Sequence, residues 1–436
     1  MGMIDPSHRD GGASRGQLLA WAFYDWANAS FVTLIQTFVF ANYFTRQIAV
    51  SKEAGQTQWA LAIGGAGVAV ALTGPLFGAI ADQSGRRKPW IATLTAIAVA
   101  SAAGMWFVEP DSPAWSALVL VAVGTFGVEG ANIFYNAMLP ALARRDQVGR
   151  WSGWGWALGY LGGLLCLVIA LVALVGWTTG SSWIPGDNAI NVRASFLLVA
   201  VWFAAFSLPL LLITPDATGP TKPLGRAARD GLKQLVDSVR QVRRFAFIIR
   251  FLIARLFYID GLASIFAIGG VFASGVFGMD AQRIIMFGIA LNVTAGLGAF
   301  GLSWVDDWIG GKWTIALSLV GIIIPGIVMV VAPSELWFWV AGLVLGIFVG
   351  PVQSASRSYM ARVAPPQLRT QGFGLYALSG KATAFAVPLL VSAVTDWTGS
   401  QRWGMTPILV FLALGLAILL TVPAASEAPA AESHER

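Results

Sequence analysis

Long apolar runs separated by short polar segments make up most of the chain. A transmembrane helix needs about 20 predominantly apolar residues, and twelve runs reach roughly that length. They cover residues 24–45, 57–81, 89–108, 115–138, 153–177, 193–213, 250–277, 284–305, 313–332, 336–356, 372–395 and 403–422. Because the runs are continuous and not ten-residue stretches of alternating polarity, they predict membrane helices and not an outer-membrane barrel.

The composition excludes a soluble enzyme. Of the 436 residues, 56% are hydrophobic and only 11% are charged, against roughly a quarter charged in soluble domains. Both histidines, His8 and His434, lie in polar tails, so we expect no metal site and no His-centred catalysis in the body. We also expect no enzyme activity and no cofactor apart from a coupling ion. Cys166 lies in an apolar run and is expected to pack in the core. The chain contains no P-loop motif, so we expect neither ATP-driven pumping nor an ATPase partner.

The basic residues predict the orientation in the membrane. Loops on the side of the two termini hold 21 of the 28 Lys and Arg residues, and the opposite loops hold five. The positive-inside rule therefore places both termini in the cytoplasm, in a multi-pass protein of the cell inner membrane. The polar N-terminus does not read as a signal peptide. The net charge of +6 is interpreted as loop charge facing anionic lipid and not as nucleic-acid binding.

A polar segment at residues 214–249 divides the spans six and six. Its apolar residues recur at helical spacing, which predicts an amphipathic helix on the cytoplasmic surface. This segment is either a linker that holds the halves together or a regulatory, lipid-binding element. The predicted domains are a half at 1–213, the linker, a half at 250–422 and a disordered tail at 423–436.

The two halves echo each other in sequence. Phe23–Phe31 resembles Phe257–Phe266, Gly153–Gly159 resembles Gly372–Gly380, and Asp82 corresponds to Asp307. The three echoes keep the same order at similar offsets. A duplicated six-helix half is typical of alternating-access carriers, whose site lies between the halves near the membrane midplane.

The segment Gly78-Ala-Ile-Ala-Asp82-Gln-Ser-Gly85-Arg86-Arg87-Lys88 resembles the signature loop of the major facilitator superfamily, with Gln83 in place of a basic residue. That resemblance implies an all-α fold of twelve transmembrane helices in two pseudo-repeated six-helix bundles. Asp82 and the basic cluster would pair across the halves and separate during transport. The alternative role for the loop is a positive-inside anchor.

Further segments are similar to the vacuole-effluxer-like, autophagy-related branch of that superfamily, which includes many bacterial members. They read AWAFYDWANASFVTLIQTFVFANYFT, IFYNAMLPALA, RWSGWGWALGYLGG and LYALSGKATAF. The resemblance spans both halves. It implies a secondary transporter and, as in fungal members, export of amino acids.

Four ionisable residues fall inside predicted spans: Glu129, Arg255, Asp260 and Lys381. Each costs about 2.5–3.5 kcal/mol at the bilayer centre on insertion scales, so they are expected to pair or to face a polar cavity. Asp260 and Lys381 are the preferred couple. Arg255 points about 140° away from Asp260 on a helix and either makes a different contact or is a snorkelling anchor.

Two polar stripes are expected to line the cavity. The fourth predicted helix carries Glu129, Asn132 and Asn136 on one face. The first carries Asp25, Asn28 and Gln36 on a similarly narrow arc, although Asp25 could instead be a helix N-cap.

These residues predict an ion-coupled secondary transporter of a small polar solute, with an amino acid or similar zwitterion as the preferred cargo, working as a monomer. Asp260 or Glu129 would carry the proton, with sodium as the alternative coupling ion, unless the charges form a fixed buried pair. Alternative cargoes are a sugar, a lipid or a drug-like compound. A membrane sensor or scaffold that transports nothing is a third hypothesis.

Overall fold

The computed structural model describes residues 12–175, 184, 187–216, 224–240, 246–381, 383 and 385–427. Both histidines, much of the predicted tail and the two ends of the linker lie outside these residues. The described part is helical, and no strand occurs in it.

The first half contains α1 (Arg15–Ser30), α2 (Lys52–Ser84), α3 (Lys88–Gly104), α4 (Ala114–Leu142), α5 (Val148–Ile169) and α6 (Ile190–Ile213). The linker forms α7 (Leu224–Arg240). The second half contains α8 (Ala246–Phe277), α9 (Ala281–Gly301), α10 (Ser303–Ile309), α11 (Gly311–Val331), α12 (Glu335–Val363), α13 (Arg369–Ser379), α14 (Ala386–Thr398), α15 (Gln401–Gly404) and α16 (Thr406–Leu420).

Ten helices of the described chain are long and apolar enough to cross a membrane. They coincide with ten of the twelve predicted runs. The other two runs, the first and the eleventh, are helical but interrupted.

The first span starts nine residues before its predicted start. Ser14 and Gln17 form a capping box in which each side chain bonds the other's backbone N–H, and this motif begins the helix at Arg15. Beyond Ser30 the helix widens into a π-helical stretch, Phe31–Phe38. It then bends at Val39 and continues as short helical turns to Ile48.

The eleventh span is two half-helices, α13 and α14, and not the continuous helix predicted for residues 372–395. Gly380 follows the end of α13, and Pro388 lies in the first turn of α14. A proline lacks the N–H that would continue a helix, but the first turn needs no such donor. The sequence therefore favours a new helix start just before Pro388.

The tenth span runs seven residues past its predicted end at residue 356. The prediction stopped at the first charge, but α12 continues to Val363. This extension places Arg357 inside the helix and not in a loop.

The halves pack closely at the end of the molecule that holds the start of α1 and the α2–α3 and α4–α5 loops, here called the basic end. A Cβ on Gly78 of α2 would lie 2.6 Å from the Thr370 carbonyl oxygen of α13. A Cβ on Gly153 of α5 would lie 2.4 Å from the Ser303 side chain of α10. Glycine at these two positions lets helices of opposite halves touch.

Helix α7 packs on the body of the protein with its smallest side chains. Ala227 is fully buried, and Gly231 contacts the backbone of Ala79 and Ile80 on α2. Leu232, from the predicted apolar stripe, remains 54% exposed. The linker helix thus has one face on the protein and leaves an apolar side chain facing outward.

Candidate functional site

The polar stripe on α4 faces three different partners inside the molecule. Glu129 pairs with Lys381, with 2.9 Å between Oε1 and Nζ. Asn132 accepts a hydrogen bond from Asn28 of α1 at 3.0 Å. Asn136 accepts one from Arg357 of α12 at 3.2 Å. The stripe therefore lies where α1, α4 and the second half meet.

The ion pair between Glu129 and Lys381 joins the two halves. Glu129 belongs to α4, and Lys381 follows the end of α13. Their side chains are 22% and 36% exposed, so both reach a partly open space. The predicted couple of Asp260 and Lys381 is wrong, because the lysine pairs with the carboxylate across the interface and not with the one in its own half.

The first span, α1 with the π-helical stretch after it, contributes the remaining polar groups of this region. The Gln36 side chain donates to the Thr125 hydroxyl of α4 at 2.9 Å. Asp25, in contrast, accepts a hydrogen bond from Arg357 Nη1 at 2.9 Å. Because α1 begins at Arg15, Asp25 lies in the middle of a helix, and the alternative of an N-cap is wrong.

Arg357 is the main site residue that the sequence analysis missed. Its guanidinium donates to Asp25, to Asn136, to the Ser152 hydroxyl at 2.9 Å and to the Ser152 carbonyl at 2.6 Å. It is 2% exposed. One side chain of the second half thus binds α1, α4 and α5 of the first half. The polar sequence SASRS around it is the signal that could have indicated a buried helix and not a loop.

Three aromatic rings of the first half surround the same guanidinium. The Arg357 Cζ lies 5.1 Å from the Trp21 ring, 5.6 Å from Tyr135 and 5.8 Å from Trp156. Cation–π contacts of this kind gain strength where water is excluded.

Asp82 of the signature loop binds the N-terminus of α13. Its carboxylate accepts from the Thr370 and Gln371 backbone N–H groups, each at 3.0 Å, and from the Thr370 hydroxyl at 2.6 Å. Arg87 donates to the same hydroxyl at 2.9 Å and pairs with Asp82 at 3.4 Å. A carboxylate at a helix N-terminus satisfies free N–H groups and the positive end of the helix dipole.

Asp307, in the second half, binds the N-terminus of α5 in the first half. Its carboxylate accepts from the Gly149 backbone N–H near the start of α5 at 2.8 Å. It also pairs with Arg150 at 3.5 Å and with Arg362 at 3.2 Å. The predicted correspondence between Asp82 and Asp307 is thus a structural one, in which each half caps a helix of the other half.

The other residues of the signature loop stay at the basic end. Gly85 has a φ of 71°, which only glycine adopts at little cost. Arg86 is exposed, and Lys88 donates to the Thr214 carbonyl at 2.8 Å. Gln83, which replaces a basic residue of the signature, donates to Gln234 of α7.

Gln234 ties the linker helix to both halves. Besides accepting from Gln83 of α2, it donates to the Gln371 side chain of α13 at 3.1 Å. In this pair Gln83 is the donor, a role that a basic residue at position 83 could also fill.

Arg255 and Asp260 lie deep in the second half, on α8. Arg255 is 8% exposed and donates to the Tyr376 carbonyl at 2.6 Å and to the Ser379 hydroxyl at 2.8 Å. It is therefore not a snorkelling anchor. Asp260 is 3% exposed. In the described chain its carboxylate accepts no hydrogen bond of ordinary geometry, although it faces Thr383 and the Val387 N–H.

Metal binding has no candidate in the described residues, where no three His, Cys, Asp or Glu side chains cluster.

Comparison with known proteins identifies the family. The model of the family described as "Vacuole effluxer Atg22 like" matches residues 60–432. An uncharacterized MFS-type transporter of Bacillus subtilis, YxiO, is 26% identical over 411 residues, covering 93% of this chain and 94% of that protein. Autophagy-related protein 22 of Cryptococcus neoformans is 24% identical over 291 residues. That match covers 62% of this chain and 49% of the fungal protein, so the chain matches about half of its fungal relative.

Solved structures show the same fold at low identity. The proton:xylose symporter XylE superposes with a TM-score of 0.71 at 14% identity, covering 94% of this chain and 96% of XylE. FucP, in its outward conformation, gives a TM-score of 0.73 at 14% identity, covering 94% and 98%. The predicted fold of twelve helices in two bundles is confirmed. The chain belongs to the vacuole effluxer Atg22-like family and is a transporter of the major facilitator superfamily.

Proposed function

We propose that this transporter moves an amino acid or a similar zwitterion through the inner membrane by ion-coupled alternating access. The observation that carries the proposal is the ion pair of Glu129 and Lys381. It joins the two halves, lies in a partly open space and offers one charge of each sign. A zwitterion can replace each partner of such a pair, because its ammonium binds a carboxylate and its carboxylate binds an ammonium.

The amide side chains next to the pair suit a small polar solute. Asn28 and Asn132 bond each other at 3.0 Å within the same region as Glu129. When a zwitterion replaces the contact between Glu129 and Lys381, each side chain gains a new partner of opposite charge. Neither is left unpaired, which matters because an unpaired buried polar group costs about 1–3 kcal/mol. The name of the family, vacuole effluxer, further supports an export direction.

The described conformation is closed at the basic end. Three side chains at or near this end bind helices of the opposite half: Asp82, Asp307 and Arg357. We place this end in the cytoplasm, because the 21-to-5 distribution of Lys and Arg follows the positive-inside rule. On this assignment the solute exchanges with the outside in this state, and release of the three contacts opens the cytoplasmic side.

The test is ligand-dependent stabilisation of the purified, full-length protein. A solute that binds only the folded state raises its unfolding temperature by mass action. A panel of amino acids, amines, carboxylates and sugars is added in turn. We expect at least one amino acid to stabilise wild type, whereas amines and carboxylates that carry a single charge do not.

Lys381→Gln and Glu129→Gln should abolish that stabilisation. The matched control is Arg283→Gln, which removes another ion pair of similar length, 3.0 Å from Arg283 to Glu335, on the surface of the second half. A sugar that stabilises both wild type and Lys381→Gln, with no response to any amino acid, would refute a zwitterion site at this pair.

A further inference from the structure

Two residues of opposite charge on α8, Arg255 and Asp260, lie next to the break between α13 and α14. Arg255 donates to the Tyr376 carbonyl in the last turn of α13. Asp260, five residues further along α8, faces Thr383 and the backbone of Val387 in the first turn of α14. A helix carries partial negative charge at its C-terminus and partial positive charge at its N-terminus. Each charge of α8 therefore lies at the half-helix end of opposite sign.

Arg255 and Asp260 differ in the hydrogen bonds that they make. Arg255 has two hydrogen bonds, and its guanidinium carbon lies 3.5 Å from the centre of the Tyr376 ring. Asp260 is 3% exposed, and in the described chain its carboxylate oxygens accept no hydrogen bond of ordinary geometry. Because an isolated ionised carboxylate is costly away from water, the protonated acid is the form this environment favours.

The cations and phenols around Asp260 are engaged elsewhere. On the neighbouring elements Lys381 pairs with Glu129 and Arg357 pairs with Asp25, while Tyr258 bonds Ser356. The first turns of α14 and the whole of α16 carry no titratable side chain. A proton is thus the simplest counter-charge for Asp260.

We propose that Asp260 is the proton-binding group of the transporter and that its protonation controls the junction between α13 and α14. The proposal rests on the ion-coupled transport inferred above and names the residue and the element involved. In the described state Asp260 is protonated, and it meets the start of α14 only through weak contacts with Thr383 and the Val387 N–H. When the acidic O–H bond breaks and the proton leaves to water, the carboxylate attracts the Val387 N–H and the positive end of the α14 dipole more strongly than the neutral acid does.

A movement at the junction of the eleventh span would displace a residue of the proposed solute site. Lys381, which pairs with Glu129, lies in the same junction, between the end of α13 and the start of α14. A shift of α14 towards Asp260 therefore moves the chain that positions Lys381. This gives proton release at Asp260 a mechanical path to the pair that joins the two halves.

The experiment is carbodiimide labelling of the full-length protein in detergent, followed by peptide mass spectrometry. A lipophilic carbodiimide modifies protonated carboxyl groups. An ordinary aspartate, with a pKa near 3.9, is protonated in about one molecule in a thousand at pH 7. We expect labelling of Asp260 at pH 7 to exceed that of Asp306 on the order of tenfold, because Arg362 gives Asp306 a counter-charge that Asp260 lacks in the described chain. Asp306 is the internal control, because it is equally buried but paired with Arg362.

A second readout does not depend on reagent access. The infrared carbonyl band of a buried carboxylic acid should be present in wild type at pH 7 and absent from Asp260→Asn. Labelling and band should both disappear as the pH rises, equally in sodium and in choline chloride.

Absence of the band at pH 7 would overturn the proposal, and so would protection of Asp260 by sodium, which would indicate a sodium site. Neither readout uses a solute. A negative result in the solute panel would therefore count against the zwitterion site alone, and a negative result here would count against the proton site at Asp260 alone.

Discussion

At the residue scale, the central contact between the halves is the guanidinium of Arg357. It binds three helices of the first half while being almost completely removed from water. Arginine suits this task because its planar fork donates in several fixed directions and keeps its charge when buried. Removing only one partner of Arg357 is therefore costly, because the buried guanidinium keeps its charge.

A double-mutant cycle tests the pair of Arg357 and Asp25. Asp25→Asn leaves a buried charge without its counter-charge, and such losses typically cost about 3–5 kcal/mol. We expect Asp25→Asn and Arg357→Gln each to lower the thermal stability of the purified protein. The double variant should lose less than the sum, by on the order of 1–3 kcal/mol.

The control for this cycle is the exposed pair of Arg283 and Glu335. Its N–O distance is 3.0 Å, close to the 2.9 Å of the buried pair, but exposed pairs contribute only about 0–1 kcal/mol. Strict additivity of the Asp25 and Arg357 variants would show that the two side chains do not stabilise each other.

Most polar residues of the candidate site are predictable from the sequence, but their partners are not. The stripe of Glu129, Asn132 and Asn136 follows from helical spacing, and all three side chains face the interior. The partner of Lys381 does not follow, because Asp260 and Glu129 are equally plausible until the helices are placed. Arg357 was missed because a charge next to an apolar run resembles a loop residue when its burial is unknown.

At the element scale, helix ends carry the long-range interactions. Asp82 caps α13 and Asp307 caps α5, so each half depends on the other to satisfy a helix N-terminus. The spans themselves are predictable from hydrophobicity, because a helix that crosses a membrane must be apolar over about 20 residues. The two interruptions, after Ser30 and after Ser379, break no apolar run, and hydrophobicity alone gives no sign of them.

Gly78→Ala tests the closed contact between α2 and α13. The added Cβ would lie 2.6 Å from the Thr370 carbonyl oxygen and 2.7 Å from the Gln371 nitrogen, and these backbone atoms cannot give way. We therefore expect the variant to hold the basic end open. Gly65→Ala on the same helix is the control, because nothing lies within 4 Å of its Cβ.

The measurement is a spin-label distance across the basic end by pulsed electron paramagnetic resonance. Cysteines replace the exposed Arg144 and Gln367, one in each half, in a Cys166→Ala background that removes the single native thiol. The Gly78→Ala distribution should shift to longer distances, and the Gly65→Ala distribution should match that of the background. Identical distributions in all three proteins would contradict a gate at this contact.

At the scale of the whole molecule, the duplication accounts for the two similar bundles and for the matching contacts between them. Asp82 and Asp307 occupy equivalent positions in the two halves and make equivalent contacts with the opposite half. The buried charges, in contrast, differ in their partners. Asp25 and Asp260 correspond in the sequence echo, yet Asp25 pairs with Arg357. Glu129 in the first half has Lys381 as its partner in the second, and Asp260 has no ion-pair partner among the described residues.

Transport by reconstituted protein tests the central claim most directly. Proteoliposomes with an imposed pH gradient are given radiolabelled amino acids, with wild type, Lys381→Gln and protein-free vesicles compared side by side. The account predicts that wild type drives at least one amino acid above its external concentration, that a protonophore abolishes this accumulation, and that Lys381→Gln remains at the protein-free level. Accumulation that is unchanged in Lys381→Gln, or wild-type vesicles that move no amino acid faster than protein-free ones, would contradict it.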